Sequence, residues 1–202
     1  MEIVTLRVLC PNLAARLRAR YPGVRVSVVR HRKAGCRHIL TRAGTLVIAR
    51  FRDNLLHGRR EIRSADGGTA VEHFRAGLLQ GRREERLADG TLVVEHFRGN
   101  QLHGRREWRR PDGHTVVEHF RNDRQHGRKE ERRPDGTLIV DRYRDGQLHG
   151  RCEWRWADGS ISIAHYRDGR LHGRCEERRP DGSVFIERWR DGLRCDQTSP
   201  TC

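Results

Sequence analysis

"TLVVEHFRGNQLHGRREWRRPDG", Thr91 to Gly113, is one of six ungapped units of 23 residues that begin at Thr45 and end at Gly67, Gly90, Gly113, Gly136, Gly159 and Gly182. It opens with a run of about seven residues rich in β-branched and aromatic side chains, which closes at Gly99-Asn100, and such a run bounded by turn residues is a strand signal. The second run, RREWRR, ends at Pro-Asp-Gly, and a proline beside Asp-Gly belongs to a turn rather than to a central strand. Two short runs separated by turn chemistry make a β-hairpin. A helical repeat would need apolar residues at three- and four-residue spacings over ten or more positions, and Asp-Gly interrupts every run before that length.

The expected fold is therefore all-β: an elongated antiparallel β-hairpin solenoid, a single twisted meander ribbon. Strands lie ~4.8 Å apart, so each hairpin should advance ~10 Å and touch only its neighbours. Residues 45–192 hold six full repeats and one partial repeat; 193–202 read as a flexible tail. Residues 1–44 read as a small α/β N-terminal cap that includes a degenerate repeat from Pro22 to Gly44. Within it Glu2 to Cys10 looks like a strand and Pro11 to Gly23 like a short helix, which would cover the first open edge of the ribbon.

Columns run through the repeats. An aromatic residue stands at Phe51, Phe74, Phe97, Phe120, Tyr143, Tyr166 and Trp189, and each is followed by arginine: Arg52, Arg75, Arg98, Arg121, Arg144, Arg167 and Arg190. The rings are expected to form the core and the arginines a candidate anion or partner surface. Residues two apart in a strand share a face, so Arg105, Glu107 and Arg109 point one way. The glutamate column Glu61, Glu84, Glu107, Glu130, Glu153, Glu176 then lies between two arginine columns as an exposed salt-bridge lattice. Such pairs contribute only ~0 to 1 kcal/mol each and serve register more than stability. Trp108, Trp154 and Trp156 vary between copies and are the candidates for partner specificity.

The glycine after each histidine or glutamine, Gly58 through Gly173, suits a positive φ where the strand restarts. His57, His103, His126, His149 and His172 recur one repeat apart, too far to share a metal ion, and Gln80 takes the same place. A turn histidine bonded to backbone is expected, with neither metal nor cofactor. Cys152 and Cys175 should lie ~10 Å apart, beyond disulfide reach, as free thiols. The six cysteines lack any CxxC pair, which suits reduced thiols in an intracellular protein.

The net charge is +15, and only Lys33 and Lys129 among the 42 basic residues are lysine. A coding bias towards arginine accounts for that as well as selection for bidentate anion binding does. No apolar run nears the ~18 residues of a membrane span.

At this point the wording "FRDGxLHGRxEWxxxDG" resembles the membrane occupation and recognition nexus (MORN) repeat, in the shorter variant seen in bacterial proteins labelled antitoxins and in large DNA viruses. Tyr143, Asp145, Gly146, Leu148, His149, Gly150, Asp158 and Gly159 carry the likeness in one copy. The longer form of the repeat has glycine where this chain has Glu95 and Arg106. The resemblance implies a hairpin solenoid acting as a non-catalytic scaffold that binds proteins, dimerises or in some members associates with anionic phospholipid. The expected function is accordingly not enzymatic: a scaffold for a protein partner, favoured as acidic by the charge. Attachment to an anionic membrane surface is the alternative, and nucleic-acid binding the second. A homodimer through an exposed end stays open.

Overall fold

A computed structural model describes residues 5–7 and 25–27 by their backbone, and 35–41 and 43–195 in full. All regular structure among them is β-strand. The strands are β1 Thr5–Arg7, β2 Arg25–Ser27, β3 Cys36–Leu40, β4 Leu46–Arg52, β5 Leu55–Arg63, β6 Thr69–Arg75, β7 Leu78–Leu79, β8 Gly81–Arg86, β9 Leu92–Arg98, β10 Gln101–Leu102 and β11 Gly104–Arg109. They continue as β12 Thr115–Arg121, β13 Arg124–Gln125, β14 Gly127–Arg132, β15 Leu138–Arg144, β16 Gln147–Leu148, β17 Gly150–Arg155, β18 Ile161–Arg167, β19 Arg170–Leu171, β20 Gly173–Arg178, β21 Val184–Arg190 and β22 Leu193–Arg194.

The chain forms two compact units, Met1–Gly90 with His96–Asn100, and Thr91–Glu95 with Gln101–Cys202. In the first, β3 to β6 run antiparallel, each strand pairing with the next, and β7 and β8 both pair with β6. In the second, β11, β12, β14, β15, β17, β18, β20 and β21 repeat the same ladder. The hairpins expected from the repeat are present in both units. The expected cap is not shown. Its helix, Pro11 to Gly23, lies outside the described residues, while β2 pairs with β1 in parallel, Leu6 opposite Val26, in a sheet of its own.

Each hairpin is closed by local chemistry at both ends. At one end the Asp of Asp-Gly accepts a backbone N–H two residues on: His114 N to Asp112 Oδ1, Thr137 N to Asp135 Oδ1 and Ser160 N to Asp158 Oδ1 are each 2.8 Å. At the other, Asp145-Gly146 takes φ of 51° and 89° and Asn122-Asp123 φ of 50° and 63°, the left-handed pair that a two-residue hairpin turn needs.

The step after each turn decides the register. Phe120 faces Gln125, yet three residues earlier Val117 faces Glu130, so His126-Gly127 adds two residues to the second strand. Gly127 takes φ of 104° there, a conformation closed to most side chains. Because the excess is two and not one, side-chain alternation stays in phase through the step.

Little of this sheet is a conventional core. The buried apolar residues are Ala49, Ala70, Val93, Cys152 and Ala164, and they are joined by buried Glu72, Glu95, Glu107, Asp141, Glu153 and Glu176. The aromatic column expected as core is only half-buried at every position from Phe51 to Trp189. A sheet with both faces lined by long side chains covers rings of that column with guanidinium groups instead: Arg37 lies over Phe51 at 4.1 Å and Arg60 over Phe74 at 4.8 Å.

Candidate functional site

Cross-strand partners point to the same face, so the register sorts the charges. In unit two, Arg105, Glu107 and Arg109 face His119, Val117 and Thr115, and Arg151, Glu153 and Arg155 face His165, Ile163 and Ile161. Arg121, Arg144 and Arg167 continue that face by alternation along β12, β15 and β18. Over Leu138–Arg155 this face carries Arg142, Arg144, Arg151 and Arg155 against Glu153 alone. Over Ile161–Arg178 it carries Arg167, Arg174 and Arg178 against Glu176. The opposite face carries Asp141 in the first of these stretches and Glu177 in the second, with no cation.

Unit one repeats the asymmetry over Thr69–Arg86. Arg75, Arg82 and Arg86 stand against Glu84 on one face, and Arg83 against Glu72 and Glu85 on the other. Among the described strands the positive charge therefore gathers on one side of each unit. A coding bias alone would spread it over both.

The arginines singled out in the sequence, Arg52, Arg75, Arg98, Arg121, Arg144, Arg167 and Arg190, are all exposed and end the first strand of each hairpin beside its two-residue turn. Arg144 Nη2 donates to Asp168 Oδ1 of the next turn at 2.8 Å. In two hairpins the opposite residue is also arginine: Arg121 faces Arg124, and Arg167 faces Arg170. Trp108 and Trp154 sit half-buried on the other face, opposite Val116 and Ser162. Trp156 stands at a turn and is 43% exposed, so the structure does not bring the three tryptophans together with the arginine column.

The glutamate lattice differs from the exposed lattice expected. Glu153 accepts from both Arg151 and Arg155, and Glu176 from Arg174 and Arg178, while lying buried between aliphatic neighbours. Burial pushes the Glu153 carboxyl up, but hydrogen bonds from Arg155 and Arg151 more than offset it and hold its pKa below the ordinary value. The Arg178 bond does the same for Glu176.

A second acidic column was missed in the sequence. Glu72, Glu95, Glu118 and Asp141 line the other face, two residues before each aromatic, and Glu72, Glu118 and Asp141 stand opposite Arg60, Arg106 and Lys129, each two residues after a glycine. Arg60 Nη2 to Glu72 is 2.5 Å and Arg83 Nε to Glu72 is 3.1 Å in unit one; Arg106 Nε to Glu95 is 3.2 Å in unit two. The two departures from the glycine-rich form, Glu95 and Arg106, are thus partners. The signal was available as matched acid and base in columns that pair across the hairpin.

This second column ends at Cys152, which takes the place of the base opposite Ala164 and hydrogen-bonds Asp141. Burial raises the Asp141 pKa and pushes the Cys152 thiol up to about 11. Cys152 is fully buried, whereas Cys36 and Cys175 are half-buried; all three are free. Cys195 is disulfide-bonded, against the expectation of reduced thiols throughout. A thiolate is the reactive form, so iodoacetamide under native conditions is expected to label Cys36 and Cys175 before Cys152. Peptide mass mapping over time reads that order, and Cys152 labelling first would contradict it.

The turn histidines do what the spacing suggested. His126, His149 and His172 Nδ1 each accept the N–H of the next repeat's turn aspartate at 3.4 Å, and Gln80 Oε1 accepts from Gly99 N at 2.8 Å. Among the described residues no group of His, Cys, Asp or Glu is placed to hold a metal ion.

Repeated hairpins that close themselves by turn chemistry and pair with their sequence neighbours define a β-hairpin repeat protein. Its residues 142–161 and 163–184 match the family model of the MORN repeat. No curated protein matches the chain. Among solved structures it is similar to the TCP domain of SAS-4 (dCPAP) of Drosophila melanogaster, solved in complex with a proline-rich motif of Ana2 (dSTIL). That similarity has 19% identity over 78% of this chain and 95% of that one, with a TM-score of 0.37. It is also similar to the wild-type TCP10 domain of Danio rerio CPAP, at 16% identity over 80% and 89% of the two chains and a TM-score of 0.37.

Proposed function

We propose that the chain is a non-catalytic repeat scaffold whose arginine-rich face binds an acidic protein partner. The one observation that carries this reading is the sorting of charge by face: Glu130, Glu153 and Glu176 each serve two guanidiniums, and the arginines beside the turns add further positive charge to the same side. Such a face attracts acidic partners over a range that salt shortens to ~10 Å at 0.1 M. The recurring His, Gly and Asp residues support a non-catalytic reading because each already has a turn or register role. An intracellular setting is part of the proposal.

Binding of a fluorescent glutamate-rich peptide, followed by anisotropy across a salt series, tests it. The expected result is binding at low salt that weakens steadily as salt rises, and that falls severalfold when Arg121, Arg144 and Arg167 are changed together to Gln. Absence of binding at low salt overturns the reading. Stronger capture by phosphatidylserine vesicles, or by an oligonucleotide, would replace it with the membrane or nucleic-acid alternative.

A further inference from the structure

Arg142 occupies a column that holds histidine in four sister repeats, His73, His96, His119 and His165, and arginine at its two ends, Arg50 and Arg188. In three of these the ring is used locally: Nδ1 meets the backbone carbonyl of Arg82 at 3.2 Å, of Arg128 at 2.8 Å and of Arg174 at 2.8 Å. Arg142 makes no counterpart of that bond. Its stem crosses Gly150, with Cδ 3.6 Å from the point where a Cβ on that glycine would stand, and its side chain is exposed.

Arg142 lies directly opposite Arg128 on β14, and Arg151 follows Gly150 on β17, the strand on its other side. No carboxylate answers it. Glu130 is held by Arg128 and Arg132, and Glu153 by Arg151 and Arg155. Like charges set opposite each other destabilise an antiparallel pair. Adjacent strands are ~4.8 Å apart, so the three side chains start from successive strands on one face, and Arg128 and Arg151 keep N–H donors beyond the Nη1 that each gives to Glu130 or Glu153.

We infer that Arg128, Arg142 and Arg151 form an oxyanion site for a phosphomonoester carried on the acidic protein partner. The inference rests on the scaffold reading above and names the chemistry the partner presents. A phosphoryl group brings a charge of roughly −1.5 to −2 and three acceptor oxygens, which suits three forks better than a single carboxylate does. A flat lipid surface would engage every repeat alike, whereas here the neighbouring repeats carry His119 and His165, already bonded to backbone. The site is one repeat wide, as a single modified side chain requires.

The test uses the full chain and two fluorescent glutamate-rich peptides that differ only in one central serine, phosphorylated or not. The wild type should bind the phosphorylated peptide about tenfold more tightly, the scale of one to three added charge-assisted hydrogen bonds. Arg142→His, which installs the residue of the sister repeats and so keeps the fold, should abolish that preference, read as the ratio of the two peptides' affinities for the same variant. Arg170→Gln removes the same charge from a hairpin end outside the site and should leave the preference intact. Equal binding of the two peptides to the wild type overturns the inference and leaves the scaffold reading standing, as does a preference that survives Arg142→His. Failure of both peptides to bind at low salt overturns both. Capture by phosphatidic acid vesicles that Arg142→His abolishes, without any peptide preference, assigns the site to a lipid headgroup and overturns the protein-borne phosphate.

Discussion

Gly35→Ala is expected to destabilise the first unit by about 3 kcal/mol or more, the cost of a forced backbone conformation plus a steric clash. Gly35 takes φ of 95°, and a Cβ there would stand 2.5 Å from the carbonyl oxygen of Phe51. That atom is backbone and cannot swing aside. The same residues share the hydrogen bond from Phe51 N to Gly35 O, 2.5 Å long, so relieving the clash means giving up the bond that docks β3 onto β4. Gly67 is the control. Its φ of 93° is nearly the same, but nothing lies within 4 Å of its would-be Cβ. Gly67→Ala should therefore show the conformational cost alone, about 1 to 2 kcal/mol. Urea denaturation of the three proteins measures the difference, and equal losses would show that the clash at Gly35 relaxes without cost.

Glu153→Gln should cost about 2 kcal/mol, less than the loss of a fully buried pair because Arg151 and Arg155 are half in solvent. The neutral amide keeps the shape but leaves two guanidiniums converging on a group without charge, between Val140 and Ile163. Glu177→Gln provides the contrast: both members of its pair with Arg179 are about half exposed, and its loss should be near zero.

Glu153→Gln should also change the pH dependence of stability. The folded pKa of Glu153 lies below its ordinary 4.5, so its stabilisation is present above about pH 4.5 and is lost as pH falls through the lowered folded value. Asp141 has the opposite sign. Burial raises its pKa above 3.8, so its contribution declines as pH rises from there through the raised value. Wild type should therefore lose stability below pH 4.5 faster than Glu153→Gln, and denaturation midpoints at several pH values test this. Parallel pH profiles would remove Glu153 from the lattice that holds the hairpins.

The period, the hairpins, both turns and the backbone role of the histidines were legible because each is a local requirement. Asp158-Gly159 closes a turn through an aspartate bond two residues away, and Gly150 restarts a strand with a φ few other residues adopt. Gln80 could be recognised as a stand-in for histidine because it accepts the same kind of N–H. The burial of Glu107, Glu153 and Glu176 was not legible. A strand pattern shows which residues share a face, but not how thoroughly two arginine stems cover the carboxylate between them. Nor did the pattern show that Glu95 and Arg106, read as departures from a glycine-rich repeat, make an ion pair.

By itself, then, the sequence determined a chain of antiparallel hairpins with its arginines, acids and rings in fixed columns, since turns and strand alternation depend on residues only a few positions apart. Only the tertiary structure decided which columns lie together. His126-Gly127 inserts two residues and not one, and this keeps successive strands in phase. The arginine columns consequently share a face, and Arg142 comes to rest between Arg128 and Arg151 with every nearby carboxylate already engaged. A one-residue step would have turned each second strand over and scattered the same charges to both sides.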